Sequence, residues 1–264
     1  LGPLVISSAS FVYIVGIWLA LLAVEKAASL LNLHVPWTYN LATLGLVGGF
    51  VAARLAFVAM YWDAYRDNLL GIIWPLTGGF NVWAGLLAAC FAALFYGRAR
   101  NLEPGPTLDA LAPGLLIGFM TISLADFLGG PGYGVETNAP WAISLFGVQR
   151  HPVQIYELIV GLLTLVAWLA YHNRTEFGGQ LFLIAAAVFS AGRLLVDAYR
   201  ANAILTQGGY HVVQIVSLFV LLGAMALLMR FTTVQEQAQE FLPTQGETGT
   251  MQAEENLGGH DRYV

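Results

Sequence analysis

The most regular feature of the chain is a series of long apolar runs, separated by short polar or glycine- and proline-rich segments. About 20 consecutive apolar residues cross a hydrocarbon core of roughly 30 Å as one α-helix. No basic region precedes the first run, which predicts a retained helix rather than a cleaved signal peptide. The pattern predicts an all-α polytopic membrane protein with about seven transmembrane helices, at residues 4–24, 41–62, 83–96, 108–128 (interrupted by Pro113), 153–171, 179–198 and 211–229.

Two interior segments and the C-terminal end break this pattern. Residues 63–81 begin with a polar stretch and continue as an apolar stretch broken by Pro and Gly, which predicts an interfacial or re-entrant piece. Residues 129–152 begin with closely spaced Gly and Pro, which favour tight turns over a helix. Residues 231–264 are rich in Gln, Glu, Thr and Gly and are expected to be disordered. The predicted organisation is a seven-helix membrane domain over 1–230, followed by a polar tail.

The composition excludes several classes of protein. The chain is 58% hydrophobic and 10% charged, whereas a soluble domain has about 25% charged residues. Six of its sixteen acidic residues lie after residue 235, so the rest is near neutral, which argues against nucleic-acid binding. Cys90 is the only cysteine, which excludes a disulfide framework and a cysteine metal cluster. We interpret it as a buried inert thiol rather than a nucleophile, because no base lies near it in sequence.

The distribution of positive charge predicts an orientation. An odd number of spans places the termini on opposite sides, and cytoplasmic loops carry more Lys and Arg. One side holds Lys26, Arg98, Arg100, Arg174 and Arg230, and the other holds Arg66, Arg150 and Arg200. The N-terminus is therefore expected outside and the tail in the cytoplasm, with 63–81 and 129–152 both on the outer face.

Arginines within apolar stretches are the first candidates for function, because such charges usually face a cavity. A guanidinium also offers a planar fork suited to phosphate or carboxylate. Arg193 lies four residues before Asp197, so it either forms an intrahelical pair or contacts a ligand. Arg54 has no acid within one turn; its partner is either a ligand or an acid on another helix, with Asp126 and Glu157 as candidates.

Residues 150–157 concentrate polar side chains where an apolar helix begins. His151 precedes Pro152, which favours an extended entry into that helix. His151 is either an interfacial residue bonded to a backbone carbonyl or a proton acceptor at the mouth of a cavity. No GxSxG, P-loop, HExxH or paired-cysteine pattern is present in the sequence.

The order of motifs resembles that of the prolipoprotein diacylglyceryl transferases. The segment RHPVQIYE, residues 150–157, is similar to that family's RHPSQLYE. Further similar stretches follow one order along residues 50–225: 53–58 (ARLAFV), 78–86 (GGFNVWAGL), 133–134 with 140–142, 192–200 (GRLLVDAYR) and 214–217 (QIVS).

The resemblance implies a reaction and a place for it. A diacylglyceryl group moves from phosphatidylglycerol to the lipobox cysteine of a prolipoprotein signal peptide, at the outer face of the bacterial inner membrane, without a metal or organic cofactor. The roles implied are catalysis by His151, Arg193 and Tyr156, lipid phosphate binding by Arg193, Arg150, Arg54 and Gly134, and polar partnership by Asp126, Glu157 and Asp197.

The sequence departs from the family pattern at three positions. Ser123 stands where the family signature has an arginine, Asp126 where it has an asparagine, and Trp83 where a histidine is expected. Two hypotheses follow: a divergent but active transferase, or a catalytically inactive member serving as a lipid-binding or scaffold subunit beside other membrane subunits. A transporter or channel is a third alternative, disfavoured because no inverted repeat is visible and the order of motifs resembles the transferase family.

Overall fold

The computed structural model of the chain describes residues 8–67, 69–73, 79–130, 132–145 and 147–240, and they are mostly helical. Seven helices in this part are long and apolar enough to cross a membrane, which confirms the predicted all-α membrane architecture. The helices are α1 Ser8–Leu30, α2 Val35–Met60, α3 Trp62–Tyr65, α4 Leu70–Ile73, α5 Val82–Ala99, α6 Pro104–Gly129, α7 Val153–Tyr171, α8 Gln180–Val196 and α9 Val212–Glu240, with a short 3₁₀ turn at Asp197–Tyr199.

The long helices pack as a series of neighbours, in the order α5, α2, α1, α6, α7, α8 and α9. Small residues bring two of these pairs close together. A side chain at Gly49 of α2 would approach the carbonyl of Gly85 in α5 to 2.9 Å, and Gly16 of α1 faces Thr121 of α6 with no room for a Cβ. Glycine at such crossings allows backbones to approach, as is common between membrane helices.

Helix α6 is continuous through Pro113, so the predicted interruption of this span is wrong. A proline inside a helix leaves the carbonyl four residues earlier without its N–H donor. That carbonyl belongs to Asp109, and it accepts a hydrogen bond from the indole Nε1 of Trp168 in α7 at 3.0 Å. A neighbouring helix thus supplies the missing donor, which is how membrane helices tolerate proline.

The Asp109 side chain holds the start of α8. Its carboxylate accepts hydrogen bonds from the backbone N–H groups of Gly179 at 2.6 Å and Phe182 at 2.7 Å. The apolar core lies at this end of the bundle, where small side chains pack around Trp168 and Leu181. The opposite ends of α6, α7 and α8 are left for polar groups.

The two interior segments predicted to lie outside the spans are short and irregular. The first contains α3 and α4, and its residues 68 and 74–78 lie outside the described residues. The second contains a hairpin of β1 Ile143–Leu145 and β2 Val148–Arg150, with Ser144 opposite Gln149. Its turn includes Gly147 at φ +80°, and its residues 131 and 146 lie outside the described residues.

The last helix is longer than predicted. Helix α9 continues to Glu240, so the predicted change to a disordered tail at 231 comes too early for residues 231–240. The Gln- and Glu-rich sequence of this part is compatible with a helix, because both residues are good helix formers. The rest of the predicted tail, 241–264, and residues 4–7 of the first predicted span lie outside the described residues.

Candidate active site

Glu157 is the centre of a polar cluster between three helices. It lies in the second turn of α7 and is 3% exposed. Its Oε2 accepts a hydrogen bond from the Ser123 hydroxyl of α6 at 2.9 Å, and its Oε1 accepts from Arg193 Nη1 and Arg200 Nη2. One buried carboxylate therefore holds two guanidinium groups, which compensates charges that would otherwise be costly to bury.

Arg193 uses only a part of its hydrogen-bonding capacity on the protein. Within the described residues it donates only to Glu157, and its guanidinium lies over the ring of Phe119, 5.2 Å from the centroid. Its Nε and Nη2 have no protein acceptor there, and no Arg193 atom is among the fully buried unpaired ones. These N–H groups therefore face accessible space and are available to a ligand. The intrahelical pair of Arg193 with Asp197, one of two alternatives from the sequence, is not formed.

Asp197 instead faces His211 and Arg200. The residue is fully buried, and its Oδ2 lies 2.9 Å from His211 Nδ1. Its Oδ1 lies 4.0 Å from Arg200 Nε, and both of these atoms are buried without a hydrogen-bond partner in the described part of the chain. Arg200 thus links the Asp197–His211 pair to the Glu157 cluster.

An irregular strand pairing brings the ends of α7 and α8 together. Gly134 forms an isolated bridge with Arg200, and Val135 exchanges backbone bonds with both neighbours, donating to Tyr199 O at 2.8 Å and accepting from His151 N at 3.1 Å. A Cβ at Gly134 would lie 2.8 Å from His151 Cβ and 3.0 Å from Tyr199 O. Only glycine therefore fits at this position, between the backbone at His151 and the backbone at Tyr199.

Arg150 contributes to the same outer structure. Its Nη1 donates to the Gly134 carbonyl at 3.2 Å and its Nη2 pairs with Glu136 at 3.2 Å, while its guanidinium lies over the Tyr133 ring. These contacts use both terminal nitrogens of the guanidinium within its own segment, and Nε is buried without a hydrogen-bond partner in the described part of the chain. The geometry therefore favours a structural role for Arg150 over the phosphate contact expected from the sequence.

His151 and Tyr156 form a second, aromatic group. The Tyr156 hydroxyl lies 3.0 Å from His151 Nδ1 and accepts a hydrogen bond from Trp141 Nε1 at 2.6 Å. The His151 ring also packs against Tyr199, with centroids 4.9 Å apart. The partner of the imidazole is therefore a tyrosine, and not the backbone carbonyl that was one of the two alternatives.

Arg54 does not pair with Asp126 or Glu157, so the partners suggested from the sequence are wrong. It donates to the carbonyls of Gly71 at 2.6 Å, Ile72 at 3.1 Å and Gly79 at 3.0 Å. All three of its nitrogen atoms are used in this way. The guanidinium binds the segment after α3 through its backbone, because carbonyls that end a short helix lack intrahelical donors.

The three departures from the family motifs lie in different surroundings. Ser123 is 1% exposed and bonded to Glu157. Asp126 is half-buried on the same helix, and its carboxylate forms no ion pair or hydrogen bond with any described residue. Trp83 is 77% exposed on α5. Cys90, on the same helix, is exposed rather than buried as predicted, because α5 packs mainly against α2.

The sequence reasoning missed two members of the cluster. The sequence suggests Arg200 only as a competing partner of Asp197, three residues away, and as a charge that sets the orientation, although it ends the stretch 192–200 that resembles a family motif. The sequence places His211 only at the start of a predicted span, and its spacing from Asp197 carries no helical signal because a loop separates them. No group of three His, Cys, Asp or Glu side chains that could hold a metal occurs among residues 8–67, 69–73, 79–130, 132–145 and 147–240.

Comparison with known proteins identifies relatives along most of the chain. The family model described as prolipoprotein diacylglyceryl transferase matches residues 1–230. A phosphatidylglycerol–prolipoprotein diacylglyceryl transferase of Finegoldia magna is 28% identical over 217 residues, 82% of this chain and 87% of the relative. Proteins of the same name from Clostridioides difficile and Thermosynechococcus vestitus are 24% and 26% identical, covering 79% and 77% of this chain and 84% and 79% of their own lengths.

Proposed function

The chain belongs to the prolipoprotein diacylglyceryl transferase family, and we propose that it transfers a diacylglyceryl group from phosphatidylglycerol to the thiol of a lipobox cysteine. It is a multi-pass bacterial membrane protein, with seven long apolar helices in the described part of the chain. The names of its relatives support the transferase hypothesis over that of a catalytically inactive subunit.

The free N–H groups of Arg193 are the observation that carries this proposal. Arg193 and Arg200 donate to the same Glu157 oxygen through one nitrogen each, which fixes both side chains. In the reaction, the sulfur forms a bond to the glyceryl carbon, the bond from that carbon to the phosphate oxygen breaks, and glycerol phosphate leaves with the electron pair. Arginines already oriented by a carboxylate stabilise the charge that develops on the phosphate without reorganising.

Arg200 takes the place of the second cation in this proposal. The sequence predicts that role for Arg150 and Arg54. Arg54, however, donates to three backbone carbonyls, and Arg150 donates through Nη1 and Nη2 to Gly134 and Glu136, while its Nε is buried. Arg200 lies against the same Glu157 oxygen as Arg193. The position that holds an arginine in the family motif is Ser123 here, so the pair of Arg193 and Arg200 must supply the positive charge alone.

Four further predicted site residues form the irregular structure beside the two arginines in this proposal. Gly134 keeps two strands close together, and Arg150 ties them to the hairpin. His151 and Tyr156 lie beside them and are the sequence-based candidates for proton transfer. A proton acceptor is needed because free cysteine has a pKa of about 8.5 and is mostly protonated at neutral pH.

We further propose the orientation derived from the charged residues, with the N-terminus outside the inner membrane and the C-terminus in the cytoplasm. It puts the hairpin and the loop after Arg200 on the outer side, where a lipobox cysteine arrives after translocation. Ile204 is 70% exposed in that loop. In intact cells, Ile204→Cys is expected to react with a membrane-impermeant maleimide, and labelling only after lysis would contradict the orientation.

The activity is tested with the purified full-length protein in phosphatidylglycerol vesicles. A lipobox peptide should gain the mass of one diacylglyceryl group, with release of one glycerol phosphate, while the same peptide with Ser in place of Cys should not change. Arg193→Gln should lower the rate by about 10²–10³-fold. Arg174→Gln, at an exposed position, is the matched control and should keep the wild-type rate.

The absence of any peptide lipidation by folded wild-type protein, with phosphatidylglycerol and with other phospholipids, would contradict the proposal. Stable co-purification with other membrane subunits in mild detergent would then favour the inactive-subunit hypothesis. Equal rates for Arg193→Gln and Arg174→Gln would leave the activity in place and remove Arg193 from the mechanism.

A further inference from the structure

The pair of His211 and Asp197 has the arrangement of a histidine base with its orienting carboxylate. His211 directly precedes α9, and its side chain is 25% exposed, whereas that of Asp197 is fully buried. The imidazole Nδ1 lies 2.9 Å from the carboxylate Oδ2. A carboxylate only accepts hydrogen bonds, so this contact places the proton on Nδ1. Nε2 then keeps its lone pair, and no described residue donates to it.

This pair lies in the same polar cluster as the proposed phosphate-binding arginines. Asp197 Oδ1 is 4.0 Å from Arg200 Nε, and Arg200 Nη2 donates to Glu157, which also holds Arg193. Negative charge from Asp197 stabilises the imidazolium formed when His211 accepts a proton, as in nucleophile–histidine–carboxylate arrangements generally.

His151 is less suited to accept a proton. The Tyr156 hydroxyl accepts from Trp141 Nε1, which is a donor only. Among the described residues His151 Nδ1 is the one acceptor within reach of the hydroxyl hydrogen. Tyr156 then donates to Nδ1, and the proton of the neutral imidazole lies on Nε2. In His151, Nδ1 therefore already accepts a hydrogen bond and Nε2 already carries a proton. In His211, Nε2 keeps a lone pair to which no described residue donates.

We propose that His211, positioned by Asp197, accepts the thiol proton of the incoming cysteine. This inference rests on the proposed diacylglyceryl transfer. The proton moves from sulfur to His211 Nε2 as the carbon–sulfur bond forms, the carbon–oxygen bond breaks, and the leaving phosphate takes the electron pair. The proton then passes to the phosphate or to water. His211 is the catalytic residue of this step, and Asp197 is a positioning residue.

The test compares two lipobox peptides that differ in one atom. One carries cysteine and the other selenocysteine, whose selenol is ionised at neutral pH and needs no base. His211→Gln should lower the rate with the cysteine peptide by about 10²–10⁴-fold and should recover most of it with the selenocysteine peptide. His172→Gln, at the opposite end of α7 from the cluster, is the matched control and should leave both rates at the wild-type level, and His151→Gln should not distinguish the two peptides. Asp197→Asn should show the same recovery as His211→Gln, at a smaller loss.

Each outcome decides the proposal. It is overturned if His211→Gln keeps its rate with the cysteine peptide, or if folded His211→Gln and Asp197→Asn lose both peptides equally, because the loss is then structural. It is also overturned if only His151→Gln distinguishes the two peptides. A wild-type protein that modifies neither peptide overturns the proposed function itself, which the wild-type reaction reports separately.

Discussion

Replacing Glu157 by glutamine removes one negative charge between the buried Arg193 and the half-buried Arg200 and changes little else. The side chain of Glu157 is 4% exposed, and those of Arg193 and Arg200 are 10% and 17% exposed. Removing one partner of a buried ion pair costs about 3–5 kcal/mol, because the other charge stays buried without compensation. Here two guanidiniums lose the same charged partner, and a neutral amide oxygen can still accept hydrogen bonds from them but compensates neither charge. We expect Glu157→Gln to lose about 3–5 kcal/mol in free energy of unfolding.

The matched control is Glu136→Gln, which removes the same charge from an ion pair at the surface. Glu136 pairs with Arg150 at 3.2 Å, but its side chain is 66% exposed. Such pairs contribute about 0–1 kcal/mol, because water and salt screen the attraction. The two substitutions are chemically identical, so the difference between them measures the effect of burial.

The assay is equilibrium unfolding of the purified protein by SDS in mixed micelles, followed by tryptophan fluorescence. Glu157→Gln should raise the unfolding equilibrium constant more than about 100-fold over wild type, and Glu136→Gln less than about 6-fold. Equal effects of the two substitutions would refute the reasoning, because Glu157 would then not be the carboxylate that compensates the buried arginines.

Three further predictions concern the structure around the site. Trp168→Phe removes the donor to a buried carbonyl of α6 and should cost about 1–3 kcal/mol in the same unfolding assay, against less than about 0.5 kcal/mol for the exposed control Trp18→Phe; equal losses would contradict it. Gly134→Ala places a Cβ within 3.0 Å of its neighbours and should lower the unfolding free energy by about 1–3 kcal/mol. The control Gly118→Ala places a Cβ in open space and should not lower it. Arg54→Gln should increase hydrogen exchange in residues 69–73 and leave α8 unchanged, since Arg54 binds that segment by its carbonyls; unchanged exchange would contradict this.

The helical architecture followed from the sequence because the constraint is physical and local. A backbone in hydrocarbon must satisfy its own hydrogen bonds, so long apolar runs become helices. The error at Pro113 arose where a distant residue intervened: Trp168 lies 55 positions later and supplies the donor that proline lacks. A local rule about proline cannot include a partner from another helix.

The sequence identified several residues of the candidate site but not the contacts between them. Arg193, Glu157 and Asp197 were identified from intramembrane charge and motif resemblance, but their partners were not. Asp197 pairs with His211 across a loop of the kind that carries no periodic signal. Arg54 donates to backbone carbonyls, and these contacts cannot be predicted from a pattern of side chains. The spacing of residues along one helix predicts contacts within that helix only, whereas the observed contacts join four separate elements.

The most direct test of the account is the position of the phosphate in a structure of the protein with phosphatidylglycerol bound, determined by electron cryomicroscopy in lipid nanodiscs. The central claim is that Arg193 and Arg200, held by Glu157, bind the phosphate of the donor lipid. It predicts the phosphate oxygens within hydrogen-bond distance of Arg193 Nε or Nη2, with Glu157 still bonded to both arginines. A lipid phosphate bound at another group, with the Nε and Nη2 of Arg193 still unpaired, would contradict it.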